Sequence, residues 1–223
     1  MADLSIQASF NSGEWAPALY ARVDMQKYRS GAALLENWFV DYRGGASTRT
    51  GTRYILQAYK SATAVRLIPF QASFDVGYVL EFGDEYIRFF IDGAPVLEDP
   101  FSITAATKAN PCVVTIPGND FIVGDWIYID GIVGMTELNQ HYFSILNAAG
   151  SSITLGDLNG NPINSSAYGT YVSGGQARRV YTIASPYAAA DLALIKFTQN
   201  VSQLILCHPS YPPYVLSLIT AVS

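Results

Sequence analysis

The sequence is poor in the residues that most often carry chemistry. Its 223 residues include two cysteines and two histidines, and only 14% of the residues are charged. Cys112 and Cys207 lie far apart without metal-ligand spacing, so neither a zinc site nor a disulfide framework is indicated, and buried free thiols are expected. His141 and His208 have aromatic, apolar or proline neighbours and no converging partners, so we interpret both as structural. We therefore predict a protein that is not an enzyme and has no catalytic, cofactor or metal site.

The chain also lacks a long apolar run and an excess of positive charge. Its apolar stretches are far shorter than a bilayer span, and residues 1–13 show no apolar signal segment, so we expect neither a membrane anchor nor secretion. The formal net charge of −5 argues against a protein that grips nucleic acid by neutralising phosphates. We expect a cytoplasmic protein, or one assembled into a particle there.

Residues that favour strands and turns are abundant. The sequence is 50% hydrophobic and contains 15 Tyr, 11 Phe, 18 Gly and 11 Pro, a composition typical of pleated sheets with frequent turns. Three runs at short spacing predict an antiparallel meander: VRLIPFQASF, GYVLEF and YIRFFID. The predicted fold class is mainly β, a β-rich α+β protein with an antiparallel sheet core.

Two helices are expected to flank this core. Apolar residues recur every three or four positions over residues 24–39, and Asp24 can cap the first turn, which predicts an N-terminal amphipathic helix. Residues 188–197 predict a short C-terminal helix with Leu192, Ile195 and Phe197 facing inward.

Other segments predict extended structure. The runs FVDYRGG and STRTGTRYILQAY, separated by Gly44 and Gly45, predict two strands joined by a turn. SQLILCHP predicts a buried strand, and residues 211–214 must be extended because each proline fixes φ and biases the residue before it.

The composition changes near Thr104, where a segment rich in Gly, Asn, Ser and Thr begins. Four short strands separated by turn signals predict a small β-barrel inserted over residues 104–179: CVVTIPG, WIYIDGIVG, HYFSILNAAG and SITLGDLNG. The predicted domains are therefore a discontinuous core, 1–103 and 180–223, and the inserted module, 104–179.

Charged residues allow more than one interpretation. Glu81, Asp84 and Glu85 raise the alternative of a glycosidase carboxylate pair, but their place around a hairpin favours solvated turn acids. Arginines in the first part of the chain are interpreted as exposed or locally paired, or else as crossing a subunit boundary: Arg22, Arg43, Arg49, Arg53, Arg66 and Arg88. Arg178 and Arg179 are interpreted as a solvated hinge.

Three segments, residues 10–55, 66–93 and 185–216, together resemble the tail nozzle family of short-tailed bacteriophages, also called tail tubular protein B or tail hub. The resemblance covers about two thirds of the chain. The residues that carry it are Gly13-Glu14 with Pro17, Arg22-Val23-Asp24 with Tyr28, Asn37, Gly44-Gly45, Arg49 with Gly51-Thr52-Arg53, and His208-Pro209 with Tyr211-Pro212-Pro213. Family members continue into a propeller-like platform and tip, so a short variant, a fragment and a partner of another chain remain open.

The inserted segment resembles the small β-barrel named for the first catalytic cysteine half-domain of ubiquitin-activating enzymes, which recurs in phage tail proteins. Its matching residues are Gly124-Asp125, Gly131, Gly134-Met135 and Leu138-Asn139. In phage proteins this module binds or packs, so the resemblance implies no ubiquitin chemistry.

The nozzle resemblance implies a structural virion protein of the phage tail. Expected partners are copies of the chain in a ring of six, the head-to-tail adaptor, and other tail proteins, fibres or spikes. Genomic DNA is expected to pass through the lumen without sequence-specific binding. The alternative is a virion-associated binding module whose barrel recognises a host glycan or another tail protein. The candidate interface residues are Arg22, Asp24, Arg49, Arg53, Tyr211, Pro212 and Pro213.

Overall fold

The computed structural model describes residues 6–219, and the chain divides into two compact units, Met1–Tyr54 and Ile55–Ser223. The first unit contains β1 (Gly13–Glu14), β2 (Gly31–Ala32), β3 (Trp38–Val40) and β4 (Ala46–Thr48), with 3₁₀ turns at Pro17–Leu19 and Tyr28–Ser30. Strands β1 and β2 pair in parallel, and β3 and β4 form an antiparallel hairpin. The predicted pair of strands around Gly44 and Gly45 is confirmed, although the second strand ends at Thr48.

The predicted helix over residues 24–39 is wrong. Backbone bonds here span three residues, as from Tyr28 N–H to the Met25 carbonyl, and the chain becomes extended at Gly31. Tyr28 stacks on Trp15 with ring centroids 6.3 Å apart instead of facing a core. Helical spacing stabilises a helix mainly through the surface that its apolar face covers, and of residues 6–54 only Gly31 is buried.

The second unit carries the remaining strands. They are β5 (Arg66–Gln71), β6 (Gly77–Gly83), β7 (Tyr86–Ile91), β8 (Ala94–Pro95), β9 (Phe101–Ser102), β10 (Ala105–Ala106), β11 (Val113–Thr115), β12 (Trp126–Val133), β13 (His141–Ala149), β14 (Ser152–Gly156), β15 (Ser173–Arg179), β16 (Thr182–Ala184), β17 (Lys196–Asn200), β18 (Gln203–His208) and β19 (Tyr211–Ser217). Two 3₁₀ turns lie at Thr136–Leu138 and Leu192–Leu194. Residues 6–219 contain no α-helix, so the protein is mainly β with antiparallel sheets.

The predicted meander is confirmed. Strands β5, β6 and β7 pair in order, β16 joins on the other side of β7, and β8 pairs with the end of β7. The sheet β17-β18-β19 shares a hydrophobic cluster with this sheet. The cluster consists of Ile68, Phe70, Tyr78, Leu80, Phe82, Ile87, Val96, Tyr187, Leu192, Ile195, Leu204 and Leu206.

The predicted C-terminal helix over residues 188–197 is also wrong. Leu192 and Ile195 are buried as expected, but Phe197, also expected to face inward, is exposed. Only the 3₁₀ turn Leu192–Leu194 forms, and the chain then enters β17, which pairs with β18. A helix as short as this segment is only marginally stable. Strand β17 instead pairs with β18 along its whole length.

Pro212 and Pro213 lie within strand β19 and are extended, as predicted. Strand β19 pairs only with β18 and is therefore an edge strand of its sheet. An edge strand tolerates proline, which lacks the backbone N–H donor.

The segment predicted as a barrel forms, together with β9 from outside it, a seven-stranded sheet with an open ladder, in the order β10-β11-β14-β13-β12-β15-β9. Its first and last strands are β10 and β9, which only Ile103 and Thr104 separate along the chain. Ile103 N–H donates to Gly175 and Thr104 N–H to Thr115, both at 2.9 Å, so these residues bond to opposite ends of the sheet. The sheet curls around its own hydrophobic cluster, but the covalent chain, not strand pairing, joins its edges. The assignment of 104–179 as an inserted domain stays a prediction.

Candidate functional site

The candidate interface residues of the first unit lie on its surface. Arg22 and Asp24 form a two-pronged ion pair, with Nε–Oδ1 at 2.8 Å and Nη2–Oδ2 at 2.7 Å. The guanidinium lowers the pKa of Asp24, and both side chains are well exposed, so the pair adds little stability. The Arg49 N–H donates to the Asn37 carbonyl at 2.7 Å, and Arg53 is exposed.

The candidate residues of the second unit lie together on β19. The Tyr211 hydroxyl donates to Asp191 Oδ2 at 2.7 Å, and this bond raises the pKa of Tyr211. The ring of Tyr211 contacts His208 and the buried Tyr187 edge-on, at centroid distances of 5.0 and 5.1 Å. Pro212 and Pro213 are exposed. The assignment of these residues to an interface stays a prediction.

The hairpin of β3 and β4, residues 38–48, displays apolar side chains on both faces and is called the exposed hairpin. Phe39 is 60% exposed, Trp38 47% and Val40 38%, and Tyr42 in the turn is 82% exposed. A two-stranded ribbon without a covered face is marginal in water. The sequence predicts the turn at Gly44 and Gly45, but it places Trp38 in the N-terminal helix and so does not predict this exposed hairpin strand.

An apolar cleft of about 620 Å³ lies in the second unit. Phe70, Leu80 and Phe89 line it on the meander side, and Leu216 and Leu218 line it from the C-terminal end of the described chain. Glu98, Asp99 and Asp120 also line it, so its apolar wall has acidic neighbours. Apolar concave surfaces with a few polar groups are the usual places for ligands or partner side chains.

Arg179 joins three carboxylates in what we call the Arg179 network. Its guanidinium approaches Glu98 at 2.7 Å, Asp125 at 3.1 Å and Asp120 at 3.2 Å. These bonds raise the pKa of Arg179, and its side chain is only 21% exposed. The interpretation of Arg179 as a solvated hinge residue is therefore wrong. It ties β15 to two separate loops.

Glu81 is buried, which corrects its interpretation as a solvated turn acid. It accepts a hydrogen bond from the Tyr86 hydroxyl at 2.5 Å and one from the Tyr59 N–H at 3.3 Å. Burial, and then the bond to Glu81, raise the pKa of Tyr86 above its ordinary value of 10.0. Asp84 instead pairs with Lys60 at 3.1 Å, which lowers the pKa of Asp84.

We expect Tyr86→Phe to lower the free energy of unfolding by about 1–3 kcal/mol, because it removes a donor from a buried carboxylate. The folded-state pKa of Tyr86 lies above its unfolded value, so its contribution is fully present below pH 10.0 and is lost as the pH rises through the folded pKa. Urea unfolding at about pH 8 and about pH 11 should show a smaller alkaline loss in the variant than in the native chain. Tyr42→Phe, at an exposed tyrosine, is the control, and equal alkaline losses in the Tyr86→Phe and native chains would contradict the assignment.

No three His, Cys, Asp or Glu side chains within 6–219 are grouped so as to hold a metal ion. Cys112 is buried and Cys207 exposed, both as free thiols, so the expectation of burial holds for Cys112 and is wrong for Cys207. Within the same range, no helix has the length and apolar character to cross a membrane.

Two comparisons with known proteins found no match from which a function could be assigned. No protein-family model matches this sequence, and no curated protein matches it significantly.

Proposed function

We propose that the chain is a structural subunit of a short bacteriophage tail, and that copies of it form a closed ring. The observation that carries the proposal is the lack of a hydrophobic core in residues 6–54, where the single buried residue is Gly31. Ordering a residue costs about 1–2 kcal/mol of conformational entropy, which is normally offset by apolar burial. A neighbouring chain that covers the exposed hairpin supplies that burial.

A ring follows if the covering surface belongs to the next copy. Contacts between different patches of identical subunits generate closed rings when the rotation closes. The resemblance to nozzle proteins adds the expected setting: six copies below the head-to-tail adaptor, extending the DNA channel and supporting fibres or spikes in the virion tail. A net charge of −5 suits a lumen that does not bind the phosphate backbone.

The proposal is tested on purified particles of the phage that encodes the chain. Mass spectrometry should find the chain in intact virions, and gold-labelled antibody against it should mark the tail. Absence from purified particles, with the chain abundant in the lysate, would overturn the proposal.

A second candidate function is a binding module, and one surface feature favours it. Tyr128 and Tyr142 lie side by side on the outer face of β12 and β13, with ring centroids 5.0 Å apart, and Arg178 is the register partner of Tyr128 on β15. The two part-exposed rings are tilted by 47° to each other and offer an apolar surface with polar tips, which suits sugar rings. Under this alternative, Tyr128→Ser abolishes attachment to host cells and leaves particle assembly intact, whereas under the ring proposal attachment is unchanged.

A further inference from the structure

Arg88 is a buried cation in the middle of the second unit. It extends from β7, its side chain is 1% exposed, and its Cζ lies 4.1 Å from the ring centroid of Tyr59 and 4.2 Å from that of Trp126. The two rings meet edge to face, with an interplanar angle of 87°. They therefore occupy two different sides of the guanidinium and hold it by cation–π attraction.

The hydrogen bonds of this guanidinium are incomplete within the protein. Its Nε donates to Thr182 Oγ1 at 3.1 Å, while Nη1 is buried and has no acceptor among the described residues 6–219. Arginine has five N–H donors, and buried donors are almost always paired. Arg88 therefore presents a charged donor that the surrounding side chains leave unmatched.

The nearby carboxylates are already engaged. Glu81 accepts from the Tyr86 hydroxyl and the Tyr59 N–H. Asp125 accepts from Arg179 at 3.1 Å and from the Ile122 N–H at 3.0 Å. Neither forms an ion pair with Arg88 within 4.0 Å among the described residues. Neither carboxylate therefore serves as a salt-bridge partner of Arg88.

A small cavity is lined in part by Arg88, and we call it the Arg88 pocket. It measures about 180 Å³, and its lining consists of Arg88, Tyr59, Tyr86, Asp125, Trp126, Val180, Thr182, Ile183 and Ala184. Thr182 and Ile183 are part-exposed and Ala184 is exposed, so the pocket can be reached from the β16 side. Its size suits a group of a few heavy atoms and is far below that of a typical drug-sized ligand site.

We propose that the Arg88 pocket binds a single carboxylate group. Nη1 has no acceptor among residues 6–219, and a carboxylate matches the edge of a guanidinium in shape and charge. Asp125 within the lining and Glu81 behind it disfavour a multiply charged anion such as phosphate, because like charges repel strongly in a half-buried site. Burial lowers the pKa of Arg88 to about 10, which leaves it charged at neutral pH. The inference does not depend on the ring proposal.

The probe is sodium acetate, added to the ¹⁵N-labelled full chain and compared with sodium chloride at equal ionic strength. We expect the Nε–Hε signal of Arg88 and the indole N–H signal of Trp126 to shift saturably with acetate and not with chloride. A short peptide containing one glutamate distinguishes the source of the carboxylate. Saturation by the peptide at a concentration at least about tenfold lower than acetate indicates a polypeptide ligand, and saturation by acetate alone indicates a free small acid.

Two variants and a control complete the test. Arg88→Lys removes the guanidinium fork, and Ala184→Phe narrows the entrance without changing a buried residue. Each should weaken the acetate response of Trp126 by at least about tenfold. Arg178→Gln, at an exposed arginine, should leave it unchanged. The proposal is overturned if acetate gives no saturable shift beyond chloride, if phosphate saturates the signals and acetate does not, or if folded Arg88→Lys keeps the native response.

Discussion

Replacing Arg179 with alanine is expected to lower the free energy of unfolding by about 2–4 kcal/mol, since charge-assisted hydrogen bonds contribute about 1.5–3 kcal/mol each and are not additive. The variant leaves Glu98 and Asp125, which are largely shielded, without their shared cation. Asp120 is 65% exposed and adds little. Urea unfolding monitored by tryptophan fluorescence measures the change.

The neighbouring residue offers a matched control. Arg178 has the same charge and lies on the same strand, but it is exposed, and its one side-chain bond to protein among the described residues is to Gln176 at 3.3 Å. Arg178→Ala should change the free energy of unfolding by less than about 0.5 kcal/mol. Arg179→Lys should fall between the two alanine variants, because lysine keeps the charge and loses the fork. Similar losses from both alanine variants would show that the Arg179 network is not stabilising.

The second large effect concerns assembly. Phe39→Ser is expected to reduce incorporation of the chain into particles at least about tenfold, because truncating an aromatic anchor at an interface commonly costs 2 kcal/mol or more. Phe39 is already 60% exposed, so the folded chain should keep its unfolding midpoint. Quantitative blotting of purified particles against the lysate gives the ratio.

Phe74 supplies the matched control for this experiment. It is also an exposed phenylalanine, 95% accessible, in the turn between β5 and β6. Phe74→Ser removes the same apolar surface away from the exposed hairpin and should leave incorporation unchanged. Equal incorporation of the Phe39→Ser and native chains would contradict the assembly role of the hairpin.

Features set by local covalent geometry and short-range pairing were predictable from the sequence. Pro212 and Pro213 fix φ, so the extended form of β19 followed directly. The meander followed from alternation and turn residues. The two-residue turn at Asp84 and Glu85 also determines the register, which places Glu81 opposite Arg88. The pairing of Glu81 with Arg88 could therefore have been predicted from the sequence.

Features that depend on distant segments were not predictable in this way. The burial of Glu81 and Arg88 depends on Tyr59 and Trp126, which the fold brings in from other parts of the chain. The helix predicted for residues 24–39 failed because a periodic apolar pattern needs a surface to cover, and the sequence does not reveal that only Gly31 is buried among residues 6–54. The alternation of side chains along a strand could have predicted one feature of Arg179. Consecutive residues of a strand face opposite sides, so Arg178 and Arg179 cannot both point to the same face of the sheet.

The most direct measurement of the central claim is photocrosslinking from position 39 inside intact particles, with benzoylphenylalanine in place of Phe39. If the exposed hairpin is covered by the next copy in a ring, irradiation will yield an adduct of twice the mass of the chain, and its peptides will all derive from this sequence. Irradiated particles that contain the chain but yield no adduct between its copies would contradict the account.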